Sequence, residues 1–173
     1  MSMNGTGSVA TTAFRDRSNF NSFIDLAMTF AQLDAGSQWA AWAKSYIHLA
    51  EGNITPAQAA ARQMGDSLTY HKSVMQACTS TNRAPDFSRI VPENEASVML
   101  EPDAEAWNHL ATLMAACGEK GAALRLLKNA IQQNYCGCSA LLSDPLLKDL
   151  RKEPGFEKIL IAASQCQGVL KVQ

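Results

Sequence analysis

The most regular hydrophobic pattern of the chain lies between Ala104 and Gln133. In its first half apolar residues recur at offsets of 3, 4, 7 and 10, and a second apolar stripe follows Gly118. This spacing predicts two amphipathic α-helices joined by a tight turn. The apolar positions are Trp107, Leu110, Ala111, Met114 and Cys117, then Ala123, Leu124, Leu127, Ala130 and Ile131. Because neither helix can bury its apolar face alone, the pair predicts further helices packed on both sides.

The same helical period recurs on the N-terminal side of this pair. It predicts helices over 18–33 and 38–50, and a third helix that starts at Thr55 and can reach Ala77. Residues 1–17 are polar and rich in Gly, Ser and Thr, which predicts a flexible lead-in or an expression remnant.

The stretch 79–92 interrupts this regularity. It contains two prolines and a polar cluster, so we predict a long irregular connection there. A short helix from Pro92 to Leu100 is expected to follow, and Pro102 then separates that helix from the central pair.

The central pair resembles one complete tetratricopeptide repeat. Its large side chains fill the space between helices, and its small ones let the two backbones approach. Gly118 fits a turn that needs a positive φ. The residues that carry the resemblance are Trp107, Leu110, Ala111, Met114, Gly118, Ala123, Leu127 and Ala130. A second, degraded unit is similar at Trp42, Tyr46, Leu49, Gly52, Ala60 and Met64.

The C-terminal segment resembles the tail that follows the last repeat in many bacterial multidomain signalling proteins. The similarity lies in an aromatic-Cys pair at Tyr135, a short apolar run, Asp144 with Pro145, and then Pro154-x-Phe156. The resemblance implies a final helix that covers the apolar end of the stack.

Together these features predict an all-α fold, a right-handed superhelical array of antiparallel tetratricopeptide-like helix pairs with a C-terminal capping helix. One domain is expected over 18–173. Its parts are degraded repeats over 18–78, the irregular connection over 79–92, the best repeat over 93–134 and the cap over 135–173.

Composition and charge argue against several classes of function. Fifteen basic and sixteen acidic residues nearly cancel, which gives no electrostatic footprint for nucleic acid. No apolar run reaches the ~20 residues that a membrane helix needs, so no membrane insertion is expected. No signal peptide is visible, and we expect a soluble protein that is cytoplasmic or, as an excised domain, periplasmic.

Catalytic and metal-binding motifs are absent from the sequence. There is no GxSxG, no Walker-type loop and no HExxH, and the three histidines lie far apart on different helices. We therefore expect no enzyme activity, no cofactor and no metal site.

Five cysteines leave one cross-link to consider. Cys78 and Cys117 lie on apolar faces and are interpreted as core residues. Cys136 or Cys138 can bridge Cys166, and closing a loop of about 28–30 residues would stabilise the fold by roughly 3 kcal/mol. Such a bridge requires an oxidising compartment.

The tetratricopeptide resemblance implies a concave groove that binds a peptide or a partner protein. Residues off the packing face of the first helix of each pair are expected to line it. They are Glu105, Asn108, Thr112 and Ala115, with Trp39, Ala43 and Ile47 in the weaker unit. The predicted function is a non-catalytic protein-interaction module, the scaffold or sensor part of a bacterial signalling protein. The alternatives are an all-α enzyme, an RNA-binding helical repeat and a homo-oligomer formed through Trp39 and Trp42.

Overall fold

A computed structural model of the chain describes Thr29 and residues 38–66, 69–80, 83–100 and 102–170. The predicted lead-in over 1–17 and the predicted first helix over 18–33 lie outside the described residues, apart from Thr29. The described residues form α-helices and short 3₁₀ turns and contain no strand. The helices are α1 (Gln38–Ala50), α2 (Ile54–Ala61), α3 (Thr69–Cys78), α4 (Arg83–Val98), α5 (Ala104–Ala116), α6 (Lys120–Gln132), α7 (Cys138–Ser143) and α8 (Pro154–Leu170).

The central prediction of two helices around Gly118 is confirmed by α5 and α6. The Asp103 side chain caps α5 by accepting a hydrogen bond of 2.9 Å from the Glu105 N–H. Trp107 is buried, as expected for a residue that packs between helices. α1 also has the predicted bounds, and none of the described helices is long and apolar enough to cross a bilayer.

Three helices end in the same backbone motif. α1, α5 and α6 are followed by Gly52, Gly118 and Asn134, whose φ values are +77°, +85° and +65°. After Gly118, the Glu119 N–H donates to the Met114 carbonyl at 2.8 Å, and the Gly118 N–H donates to the Ala115 carbonyl at 3.0 Å. This is the Schellman motif, which satisfies the last carbonyls of a helix and reverses the chain tightly. The positive φ explains why glycine follows α1 and α5.

The predicted irregular connection over 79–92 is wrong, because most of it lies in α4. Pro85 stands at the third position of this helix, where no intrahelical hydrogen bond is expected of its nitrogen. Pro92 stands inside the helix on its exposed side, so it costs one helical hydrogen bond while its ring faces solvent. The period that marks α4 is a buried stripe of Phe87, Ile90, Val91, Asn94 and Val98.

The predicted third helix is two helices. α2 ends at Ala61, and α3 starts again at Thr69, so the chain does not continue as a helix through Gly65. α2 also begins at Ile54, one residue before the predicted start, and Asn53 makes no side-chain capping bond to it. The predicted helix from Pro92 to Leu100 is the second half of α4.

The C-terminal segment after α6, called the cap below, packs against the core. Asp144 accepts a hydrogen bond of 2.9 Å from the Leu146 N–H, and Pro145 starts a 3₁₀ turn, Pro145–Leu147. Arg151 donates to the carbonyls of Leu141 and Asp144 and holds this turn against α7. The cap residues that join the core are Tyr135, Ala140, Leu141, Leu146, Leu147, Leu150, Phe156, Ile159 and Ala163.

Candidate functional site

The residues predicted to line an open groove are buried. Glu105, Asn108 and Thr112 are exposed by 1%, 2% and 0%. Ala115, Ala43 and Ile47 are also buried, and the side chain of Trp39 lies outside the described residues. None of the six described side chains is open to a partner in this conformation, which corrects the expectation that they face solvent.

The C-terminal cap is one physical reason for this burial. α5 contacts α3, α4, α6 and the Pro145–Leu147 turn, so helices and cap cover it from several sides. The Tyr46 hydroxyl lies against Thr112 and hydrogen-bonds to the Asp144 carboxylate. The side of α5 that was predicted to line the groove is therefore covered at Thr112 by side chains from α1 and the cap.

Asp144 is the buried charge at this junction. It is 2% exposed, and burial raises the pKa of its carboxyl to about 6. Hydrogen bonds from Tyr46 and the Leu146 N–H and the charge of Arg151 oppose this rise in the pKa. Burial and the neighbouring carboxylate together raise the pKa of Tyr46 well above its ordinary value, so the phenol keeps its proton and donates it.

A second group combines the buried His71 and Trp42 with the half-buried His109. The ring centroids of His71 and His109 lie 6.3 Å apart, and those of His109 and Trp42 lie 5.4 Å apart. Both ring nitrogens of His71 are buried, and neither has a hydrogen-bond partner among the described residues. Burial, and then the charge of His109, lower the pKa of His71 to about 3, and burial lowers the pKa of His109 to about 4. Both imidazoles are therefore neutral at pH 7.

This pair was not predicted, because its members lie on α3 and α5 and share no sequence motif. The neutral rings pack as aromatic side chains against Trp42, whose own burial keeps this indole from offering an exposed face for self-association. Within the described parts of the chain, no group of three or more His, Cys, Asp or Glu side chains is placed to hold a metal ion.

The cysteines form two disulfides. Cys78 and Cys117 are bonded to each other and tie α3 to the end of α5, which corrects their interpretation as plain core residues. Cys136 is bonded to Cys166 and ties the turn after α6 to α8. Cys138, the other partner considered for Cys166, carries a free thiol. Each disulfide spans a Cα–Cα distance of 5.3 Å.

An apolar depression lies on the surface between α7 and α8. Its volume is about 390 Å³. Its apolar lining consists of Leu142, Pro154, Phe156 and Leu160, and its charged rim consists of Arg151, Lys152, Glu153 and Glu157. Leu142 is 51% exposed, and Ile161, the next residue after the lining, is also 51% exposed.

The rim charges differ in how they are compensated. Lys152 lies 2.6 Å from the Asp149 carboxylate, and Glu153 lies 2.6 Å from the Lys120 ammonium. Glu157 is exposed and forms no ion pair with any described residue. The depression thus joins an apolar floor to one carboxylate that has no charge partner in the part of the chain that the structure describes.

No protein-family model, no curated protein sequence and no solved structure matches this chain. Its function is therefore argued from its own residues.

Proposed function

We propose that this chain is a non-catalytic protein-interaction module of the tetratricopeptide type, the scaffold or sensor part of a bacterial signalling protein. Its helix pairs would continue a right-handed superhelix, and its partner would bind the depression between α7 and α8. The observation that carries this proposal is the half-exposed Leu142 beside an apolar floor with a charged rim. That combination is typical of the core and rim of protein interfaces.

The depression is proposed in place of the groove on α5. Glu105, Asn108 and Thr112 would first have to be uncovered for binding there, and uncovering Thr112 would open the buried junction of Tyr46 with Asp144. The depression needs no such opening, since Leu142 already lies half in solvent. Binding there would bury apolar surface, and each Å² removed from water contributes about 25 cal/mol of favourable free energy.

The chemistry of the rim defines the partner further. A protein segment with one apolar anchor residue would fill the floor beside Leu142, Phe156 and Leu160. A lysine or arginine on the same segment would pair with Glu157. An amphipathic helix presents both on one face at i and i+3 or i+4 spacing. The two disulfides favour the periplasmic alternative for this module, because such bonds persist in oxidising compartments.

Affinity capture with matched surface variants tests the proposal. Wild-type protein should retain a partner that Leu142→Glu loses, because a carboxylate at the floor would be desolvated without a partner. The control is Ile54→Glu, since Ile54 is 47% exposed at the start of α2, outside the depression. Glu157→Lys should weaken the same capture and reduce its dependence on salt. If Leu142→Glu and Glu157→Lys recover as much partner as the control Ile54→Glu does, the depression is not the binding surface.

A further inference from the structure

Three cysteines meet where the turn after α6 touches α8. Cys136 and Cys166 form a disulfide, and Cys138 carries a thiol two residues from Cys136. All three are partly exposed, whereas the other disulfide is buried, with Cys78 and Cys117 exposed by 9% and 1%. Accessible disulfides beside a free thiol are the labile ones, since exchange requires a thiolate to reach a sulfur atom.

The backbone holds Cys136 and Cys138 close together. The Cys138 N–H donates to the Cys136 carbonyl at 2.9 Å, and Gly137 between them has φ −79° and ψ +50°. These values describe an inverse γ-turn. Two residues span at most about 7 Å when extended. The turn shortens that span into the Cα–Cα range of disulfides, about 4.4–6.8 Å.

Gly137 makes this turn possible. A Cβ at this position would lie 2.6 Å from Cζ and from the hydroxyl oxygen of the buried Tyr135, so the phenol ring would have to shift. The glycine therefore lets the turn between the two cysteines pack over Tyr135. The Cys-Gly-Cys order thus has a packing reason as well as a chemical consequence.

We propose that Cys136, Cys138 and Cys166 form a thiol–disulfide exchange site. The Cys138 thiolate attacks the Cys136 sulfur, a Cys138–Cys136 bond forms, and the Cys136–Cys166 bond breaks. The electron pair of that bond leaves with Cys166 as its thiolate, which takes up a proton from solvent. One disulfide and one thiol are present before and after, so the step needs no oxidant and no reductant.

Chain entropy explains why both Cys136 and Cys138 are credible partners for Cys166. The observed loop spans 30 residues, and a loop from Cys138 would span two fewer, a difference that changes the loop entropy little. The isomer with a Cys136–Cys138 bond closes no long loop, so it loses most of the stabilisation that closing the longer loop provides. The Cys136–Cys166 bond that the structure shows is therefore favoured over this isomer as the resting state, and exchange frees α8 from the turn that precedes α7.

Disulfide mapping tests the exchange on the intact protein. Samples held without reductant at pH 5 and at pH 8 are quenched in acid, digested with pepsin and analysed by mass spectrometry. We expect a small fraction of Cys136–Cys138 peptide with a free Cys166 thiol, because this isomer is the less stable one. It should form faster at pH 8 than at pH 5, because only the thiolate attacks. Cys138→Ser should show the Cys136–Cys166 bond alone at both pH values.

The Cys78–Cys117 bond is the internal control and should stay paired in every sample, which also reports that the fold is intact. Finding Cys166 only in its bond to Cys136 at both pH values would overturn the proposal. So would a free Cys136 thiol with Cys138 bonded to Cys166, since that product requires attack on the other sulfur. A Cys138→Ser protein that still releases Cys166 would also overturn it.

Discussion

The Tyr46 hydroxyl donates a hydrogen bond to the Asp144 carboxylate, across 98 residues of chain. This contact joins the first described helix to the C-terminal cap, and both side chains are buried. A buried carboxylate is costly unless it is hydrogen-bonded, so each of the two residues depends on the other.

Tyr46→Phe should therefore destabilise the protein by roughly 1–3 kcal/mol, because Asp144 then loses a charge-assisted hydrogen bond in an apolar site. Urea unfolding at pH 7 measures the loss. The same substitution in an Asp144→Asn background should cost less, since a neutral amide needs the phenol less. Equal costs in the two backgrounds would mean that the hydroxyl does not act through Asp144.

The lowered pKa of the buried His71 should make the protein less stable in acid. Its folded pKa of about 3 lies below the ordinary value of 6.5, so the unfolded chain takes up the proton first as the pH falls. The stability that depends on its neutral form is complete above pH 6.5 and is lost progressively as the pH falls towards 3. Asp144 acts in the opposite sense, since its raised pKa of about 6 means that the folded state binds the proton more tightly between pH 6 and 4.

His71→Phe separates these two effects. The ring stays beside Trp42 and His109 while the titrating nitrogens are removed. Subtracting the stability profile of the variant from that of the wild type leaves the contribution of His71 and of its interaction with His109, because Asp144 and His109 are present in both proteins. We expect a difference of about 1.4 kcal/mol per pH unit below pH 6.5. A flat difference between pH 6.5 and pH 4 would contradict the burial of His71.

The glycine after α1 supplies a test of the helix-ending motif. Gly52 has a φ of +77°, and a Cβ there would meet no atom within 4 Å. Gly52→Ala should therefore cost about 1 kcal/mol through backbone strain alone. The matched control is Gly121→Ala in the first turn of α6, where a Cβ would meet only the Arg125 side chain at 3.6 Å. That change should leave the stability unchanged or raise it by up to about 1 kcal/mol in thermal melts. Equal effects of the two substitutions would refute the motif.

The parts of the fold that were predictable from sequence are those with local signals. An apolar stripe followed by Gly52 or Gly118 gives the bounds of α1 and of the α5–α6 pair. Asp144 with Pro145 likewise marks the start of the 3₁₀ turn. The sequence pattern does not predict helix α4, because Pro85 and Pro92 are typical breaks in a helix. The first lies where helices tolerate proline and the second faces solvent.

The site depended on contacts that no local pattern contains. Thr112 follows the spacing of a groove residue, but Tyr46 and the cap cover it from distant parts of the chain. His71 and His109 meet only because α3 packs on α5. The pairing of Cys78 with Cys117 has the same origin. The apolar spacing of both cysteines is consistent with a disulfide and equally with two separate core thiols. Only their distance in the folded structure decides between these alternatives.

The most direct test of the proposed function is hydrogen–deuterium exchange of the complex with the captured partner, compared with the chain alone. We expect added protection confined to Cys138–Ser143 and to the first two turns of α8 after Pro154. The backbone of α5 should exchange as it does in the free protein. Unchanged exchange around Leu142, with new protection along Glu105 to Ala115, would contradict binding at the depression and return the partner to the groove.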